Sequence, residues 1–321
     1  MYDSSISHKN WNGHSDTETL LTAITEWGIE KTLKESVGMF SIVLWDRQEE
    51  VLTLARDRLG EKPLYYGWQG ETFIFGSELK ALKAHPNFIN EIDRDSLTLF
   101  LRFNYIPSPH SIYKGISKLP PGTFLQLSKK TNHKILVKSY WSLKEVANTG
   151  QNGTLDCSDS EALNLLENFL GKSIQQQQIS DVPLGAFLSG GIDSSLIVAM
   201  MQDQSDKSVK TFTIGFNESD FNEAKYANKV AKHLCTDHSE IYISPSDALH
   251  VIPELPKIYD EPFADSSQIA TFLVSKMARE KVKVTLSGDG GDELFGGYNR
   301  YIWSRSITNK TKWMPSSSLK V

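Results

Sequence analysis

The residues Ser189-Gly190-Gly191-Ile192-Asp193-Ser194-Ser195 bring hydroxyls, glycines and a carboxylate together directly after the apolar run Val182 to Leu188. This order of types reads as a strand, a small-residue turn and the start of a helix, and that combination is a phosphate site. A helix opening at Asp193 or Ser194 offers unpaired N–H groups and the positive end of its dipole, and Gly190 and Gly191 let an anion reach the main chain without meeting a Cβ. The hydroxyls of Ser189, Ser194 and Ser195 add donors. Asp193 would repel a bare phosphate, so its place in the loop makes sense if it holds a hard cation such as Mg²⁺ that bridges to phosphate oxygens. The competing reading, a plain strand-to-helix turn, needs neither the serines nor the acid. A Walker loop is excluded because no Gly-Lys-Ser/Thr follows, and the Gly-x-Gly-x-x-Gly spacing of dinucleotide folds is absent.

A second such stretch follows the strand expected at Val282-Lys283-Val284-Thr285-Leu286: Ser287-Gly288-Asp289-Gly290-Gly291-Asp292-Glu293. Its glycines expose backbone N–H and C=O groups, while Asp289, Asp292 and Glu293 are able to orient Mg²⁺ or a substrate ammonium. A solvated acidic loop is the alternative, and glycine density immediately after a buried strand weighs against it.

The elements that must position these loops are strands alternating with helices. Strands are expected at Leu184–Leu188, Lys210–Phe216, His238–Ile243 and Val282–Ser287, with helices at Ser194–Gln202, Asn222–Leu234, Ser246–Ile258 and Ser267–Glu280. This is a doubly wound parallel α/β sheet, whose ligands lie at the carboxyl ends of the strands near the switch in strand order. A helix capped by Ser158-Asp159-Ser160-Glu161 precedes it. Upstream lies an α+β region, with a helix entered at Ser15 or Asp16, a hairpin Gly38–Trp45 with Val51–Ala55, strands Leu64–Trp68 and Thr72–Ser77, a helix Arg94–Phe103, and a strand after Pro120-Pro121-Gly122. The polar stretch around Asn148-Thr149-Gly150-Gln151-Asn152-Gly153 marks a boundary. The expected domains are residues 1–147, a linker 148–160, and residues 161–321.

Of the 321 residues, 39% are hydrophobic and 23% charged, as in ordinary globular domains. A net charge of −5 supplies no basic field for a polynucleotide, so small-molecule substrates are expected and nucleic acid is not. Cys157 and Cys235 are too isolated for a disulfide framework or a zinc site. No apolar run approaches the roughly 20 residues that span a bilayer, and residues 1–14 are polar where a signal peptide is basic and then apolar. The chain is read as cytoplasmic. The tail Lys310–Val321 is expected to be poorly ordered.

The loop Ser189–Ser195 resembles the pyrophosphate loop of the ATP pyrophosphatase superfamily, whose members split ATP between its α and β phosphates. With Tyr259-Asp260-Glu261-Pro262-Phe263-Ala264-Asp265 and Ser287–Glu293 it is similar to the synthetase domain of glutamine-hydrolysing asparagine synthetases. Ala55-Arg56-Asp57-Arg58-Leu59-Gly60-Glu61-Lys62-Pro63-Leu64-Tyr65-Tyr66, Gly76–Leu82 and Leu119–Gly122 resemble the second half of that family's glutaminase domain, an N-terminal-nucleophile fold.

The resemblance implies an ATP- and Mg²⁺-dependent ligase that forms a carbon–nitrogen bond, amidating aspartate with ammonia from glutamine through β-aspartyl-AMP. Carried over by position, Leu188 and Ile214 border the adenine, Ser287 and Gly288 contact the nucleotide, and Ser189, Gly190, Gly191, Asp193, Ser194 and Ser195 hold the pyrophosphate. Asp193 and Asp292 bind Mg²⁺, Asp289 sits in the loop that stabilises the acyl-adenylate, and Asp292 shares the catalytic assignment. Asp16 falls where the family binds the amino group of glutamine. Partners are ATP, aspartate, and glutamine or ammonia, with room for a homodimer. Position 2 is Tyr2, so the glutaminase half is expected to be inactive as the chain stands, and truncation at both ends is expected. Two other readings stay open: a related amidotransferase acting on a polysaccharide sugar or an antibiotic precursor, and a catalytically silent ATP-binding fragment.

Overall fold

Ser15 ends its extended backbone by accepting a hydrogen bond from Thr17 N, and the chain winds into α1 (Asp16–Trp27), followed by α2 (Ile29–Glu35). A computed structural model of the chain describes residues 11–13, 15–131, 134–217 and 222–314. They belong to two units, one comprising Met1–Asp156 with Glu254–Asp265 and the other Cys157–Pro253 with Ser266–Val321.

In the first unit, β1 (Ser41–Asp46) and β2 (Val51–Arg56) form the expected hairpin. They are followed by β3 (Tyr65–Gln69), β4 (Thr72–Gly76), α3 (Leu79–Lys83), α4 (Arg94–Phe103), β5 (Ile116–Lys118), β6 (Thr123–Ser128), β7 (Leu136–Ser139) and α5 (Leu143–Asn152). Two antiparallel sheets result, in the orders β1-β2-β6-β7 and β4-β3-β5. Leu54, Leu64, Leu119 and Leu125 are almost wholly removed from water and form one of the unit's apolar clusters. Beneath β2, the fully buried Asp57 accepts hydrogen bonds from the N–H groups of Phe40, Glu61 and Lys62, while Arg56 donates to the carbonyls of Gly60, Lys62 and Leu119. A carboxylate and a guanidinium can be buried this way because each meets several partners. Residues 148–152 of the stretch read as a linker are helical, the end of α5, which Ser142 caps by accepting from Glu145 N.

In the second unit, Ser158 and Glu161 form a reciprocal capping box for α6 (Asp159–Gln177). Then come β8 (Leu184–Phe187), α7 (Ile192–Asp203), β9 (Lys210–Phe216), α8 (Ala224–Leu234), β10 (Asp237–Ile243) and α9 (Pro245–Val251). The single helix expected over Ser246–Ile258 is broken: α9 ends at Val251, a 3-10 turn spans Ile252–Glu254, and α10 (Leu255–Ile258) already folds with the first unit. Pro253 and Pro256 supply no N–H for a continuous ladder, which accounts for the break. The chain returns at Ser266 for α11 (Ser267–Ala278), β11 (Val284–Leu286), α12 (Gly291–Phe295) and α13 (Asn299–Thr311). Lys310 and Thr311 therefore belong to a helix; the tail from residue 315 lies outside the described residues.

The sheet is parallel throughout in the order β10-β9-β8-β11. Strand order reverses between β8 and β11, so the carboxyl ends of these two strands flank a switch point. Ala186, Leu188, Val198 and Met201 sit in the apolar cluster behind them.

Candidate phosphate-binding site

Both loops that the sequence singles out leave the sheet at that switch point. After β8, pairing with β9 extends one residue further: Leu188 N donates to Phe212 O at 2.9 Å, and the Thr213 hydroxyl donates to Leu188 O. The loop then folds on its own hydroxyls. Ser189 Oγ and Ser194 Oγ are 2.9 Å apart, Ser189 N donates to Ser194 Oγ at 3.2 Å, and Gly191 N donates to Ser189 Oγ at 3.2 Å. Gly190 has φ +82° and lies so close to α8 that a Cβ there would stand 2.6 Å from Ala227 N. Gly191 is the N-cap of α7 and makes no side-chain capping bond, so the first-turn N–H groups of α7 lack a capping acceptor. Ser195 Oγ is buried and has no hydrogen-bond partner.

The loop after β11 packs directly on this turn. A Cβ on Gly288 would meet Ser194 N at 2.8 Å, and one on Gly291 would meet Asp193 Cγ at 2.6 Å. A side chain is excluded at Gly288 because the backbone of the α7 N-terminus occupies the space, and one at Gly291 would displace the Asp193 carboxylate. The carboxylates of the loop have different surroundings. Asp289 accepts from Ser287 Oγ at 2.9 Å, and Glu293 accepts from Tyr298 OH at 3.0 Å, a bond that raises the Tyr298 phenol above its ordinary pKa. Asp292 Oδ1 fills the space beside Gly297, 1.9 Å from where a Cβ would lie. Asp193 accepts no hydrogen bond from any described residue.

The structure thus brings Ser189, Gly190, Gly191, Asp193, Ser194, Gly288 and Gly291 into one contiguous patch. Ser195 adds a buried hydroxyl behind it, and Ser287, Asp289 and Asp292 stand in the facing loop. Ile214 is half-buried near the end of β9, the strand next to β8. Leu188 is different: at 1% exposed its side chain belongs to the core. Asp16 is exposed in the first turn of α1 in the other unit, 3.4 Å from Ser15 Oγ, and Ser15 rather than Asp16 is the cap. Among the described residues no group of three or more His, Cys, Asp and Glu is close enough to cage a metal ion. Carboxylate oxygens at Asp193 and Asp292 suit a hard cation that completes its shell with oxygens from a ligand or water.

Sequence reasoning missed Thr213 and the α8 backbone at Tyr226 and Ala227, which fix the start and the turn of the loop. The signal for the second was Gly190, whose positive φ and lack of a side chain imply a close neighbour. Asp260 and Glu261, read with the synthetase motifs, fold with the first unit, a placement that no local pattern announces.

Residues 165–320 match the family model described as asparagine synthase, and residues 3–141 match that of a glutamine amidotransferase domain. The chain therefore joins a region that matches glutamine amidotransferase domains to one that matches asparagine synthase. It belongs to the asparagine synthetase family. It is 39% identical over 293 residues to a Methanocaldococcus jannaschii protein provisionally named glutamine-hydrolyzing asparagine synthetase 2, covering 90% of this chain and 55% of that one. Glutamine-hydrolyzing asparagine synthetase 1 of Bacillus subtilis is 35% identical over 293 residues, covering 91% and 44%, and synthetase 3 of the same organism is 31% identical over 323 residues, covering 96% and 50%. The chain spans about half the length of these curated relatives. Among the described residues, no helix is long and apolar enough to cross a membrane.

Proposed function

We propose that the whole protein is a glutamine-hydrolysing asparagine synthetase. ATP activates the β-carboxylate of aspartate, giving β-aspartyl-AMP and pyrophosphate, and ammonia released from glutamine displaces AMP to give asparagine. The observation that carries this reading is the contact of two Gly-Ser-Asp loops at one switch point, with Gly288 and Gly291 closed onto Ser194 and Asp193. An anion-binding turn against a glycine-rich acidic loop suits a nucleotide triphosphate whose α-phosphate is attacked while its pyrophosphate is held.

In this reading Ser189, Gly190, Gly191, Ser194 and Ser195 grip the pyrophosphate through hydroxyls and the uncapped N–H groups of α7. Ile214 borders the adenine, Leu188 supports it from the core, and Ser287 and Gly288 contact the nucleotide. Asp289 steadies the acyl-adenylate. Asp193 and Asp292 would hold Mg²⁺, which when bound neutralises charge on the leaving pyrophosphate. Fixed N–H and hydroxyl donors aimed at developing charge supply the catalysis, since they need no reorganisation as the reaction proceeds. Asp16 binds the amino group of glutamine, and the enzyme works in the cytoplasm as a homodimer.

The test is pyrophosphate release by the full-length enzyme with aspartate and with a panel of other carboxylic acids. Release that depends on aspartate and is abolished by Asp193→Ala supports the reading. Release with another acid only would move the protein to a different amidotransferase, and full release by the Asp193→Ala enzyme would remove the metal-holding role.

A further inference from the structure

Glu254–Asp265 interrupts the second unit in sequence and folds with the first, and adjacent carboxylates hold it there. Asp260 Oδ2 accepts from Leu79 N at 2.7 Å, and its Oδ1 lies 3.4 Å from Lys80 N and 3.5 Å from Lys80 Nζ. The residue that precedes α3, Glu78, makes no capping bond of its own. Asp260 therefore satisfies the start of α3 from 181 residues away. Glu261 Oε1 accepts from Ile112 N at 2.8 Å, and its Oε2 pairs with Lys118 Nζ, which also donates to Ile106 O at 2.6 Å. The side chains of Asp260, Glu261 and Lys118 are only 12%, 10% and 16% exposed. The ring of Tyr65 lies 6.0 Å from Lys118 Nζ, and its phenol is pushed up by burial and by the Glu261 and Asp260 charges. Ala264 N closes the far end on Asn104 O at 2.8 Å.

A solvated acidic loop would leave these carboxylates in water, but here they answer backbone N–H groups and a buried ammonium, contacts that are among the stronger ones available to a side chain. One residue beyond the segment the chain re-enters the second unit, and α11 begins at Ser267. The later turns of α11 pack Val274, Met277 and Ala278 against Phe212 of β9, next to the strand that carries the phosphate loop.

We propose that Asp260 and Glu261 are positioning residues, a carboxylate clip that ties the path of the chain into α11 to the amidotransferase unit and so couples loosening of one unit to the other. Amide hydrogen exchange on the full chain tests this, comparing wild type with Asp260→Asn, Glu261→Gln and the double variant, each shown to be folded by a cooperative melt. Without the charged acceptors, the Leu79 and Ile112 amides should exchange about tenfold faster in the double variant, and the second turn of α11, residues 271–274, whose N–H groups are held within the helix, should lose protection with them. If the double variant does not fold, Asp260→Asn alone, which keeps an acceptor oxygen, is read at Leu79 and at residues 271–274. Unchanged exchange at Leu79 and Ile112 would show that the carboxylates do not hold the segment. Faster exchange that stops at Asp265 would show a local patch with no coupling. Either result overturns the proposal.

Discussion

Asp57 in the amidotransferase unit and Asp193 in the synthase unit each sit just after a strand in a short motif, Arg56-Asp57-Arg58 and Ile192-Asp193-Ser194, yet their surroundings are opposite. Asp57 is wholly buried and its oxygens are met by the N–H groups of Phe40, Glu61 and Lys62. Asp193 is half-buried in the first turn of α7, faces the backbone of Gly291, and receives no hydrogen bond from a described residue. A buried carboxylate with both oxygens answered by backbone N–H groups is part of the fold. One at a helix N-terminus with its carboxylate oxygens unanswered by the chain is available to an outside group, as the metal-holding role proposed for it requires.

Substitution separates the two most sharply. Asp57→Ala strands three backbone donors in the interior and should lower stability by about 3 kcal/mol or more, read by denaturant unfolding. Asp193→Ala removes no internal hydrogen bond and should leave stability within about 0.5 kcal/mol of wild type, even though pyrophosphate release is abolished in the full-length enzyme. If Asp193→Ala unfolds the chain, or Asp57→Ala leaves its stability intact, the distinction fails.

A smaller effect concerns His238, away from both carboxylates. Its Nδ1 lies 2.9 Å from Thr211 Oγ1, its Nε2 is buried with no hydrogen-bond partner, and burial lowers its pKa against a weaker opposing pull from Glu240. The unfolded chain then takes up the proton first. Stability is unaffected above the ordinary histidine pKa of about 6.5 and falls as pH drops below it towards the folded value. The partial exposure of this region limits the loss to less than about 1 kcal/mol. Melting temperatures across that window should fall less steeply for His238→Asn; an unchanged slope would assign the acid sensitivity elsewhere.

The same contrast explains what could be read in advance. Strand β9 and helix α4 have the bounds their patterns imply, Lys210–Phe216 and Arg94–Phe103, because period and end signals agree there. The loops at Ser189 and Ser287 were legible because serine, glycine and aspartate at that density serve little else. Strand β7 was not, since Leu136–Ser139 is exposed along its whole length and carries no inward-facing alternation. Nor was the placement of Asp260 and Glu261, because their partners Leu79, Ile112 and Lys118 lie more than a hundred residues upstream and leave no local pattern. The burial of Asp57 and the openness of Asp193 likewise depend on what the fold brings to them.

The most direct measurement is a calorimetric titration of the full chain with ATP in the presence of Mg²⁺, wild type beside Gly291→Ala. The added methyl would stand 2.6 Å from Asp193 Cγ, so the Asp193 carboxylate must turn away or the loop after β11 must shift to admit it. A single site built from both loops predicts that ATP binds wild type and binds Gly291→Ala about tenfold more weakly, a loss of about 1.4 kcal/mol, with little change in melting temperature. Equal affinity in the two proteins would show that the loop after β11 takes no part in holding the nucleotide.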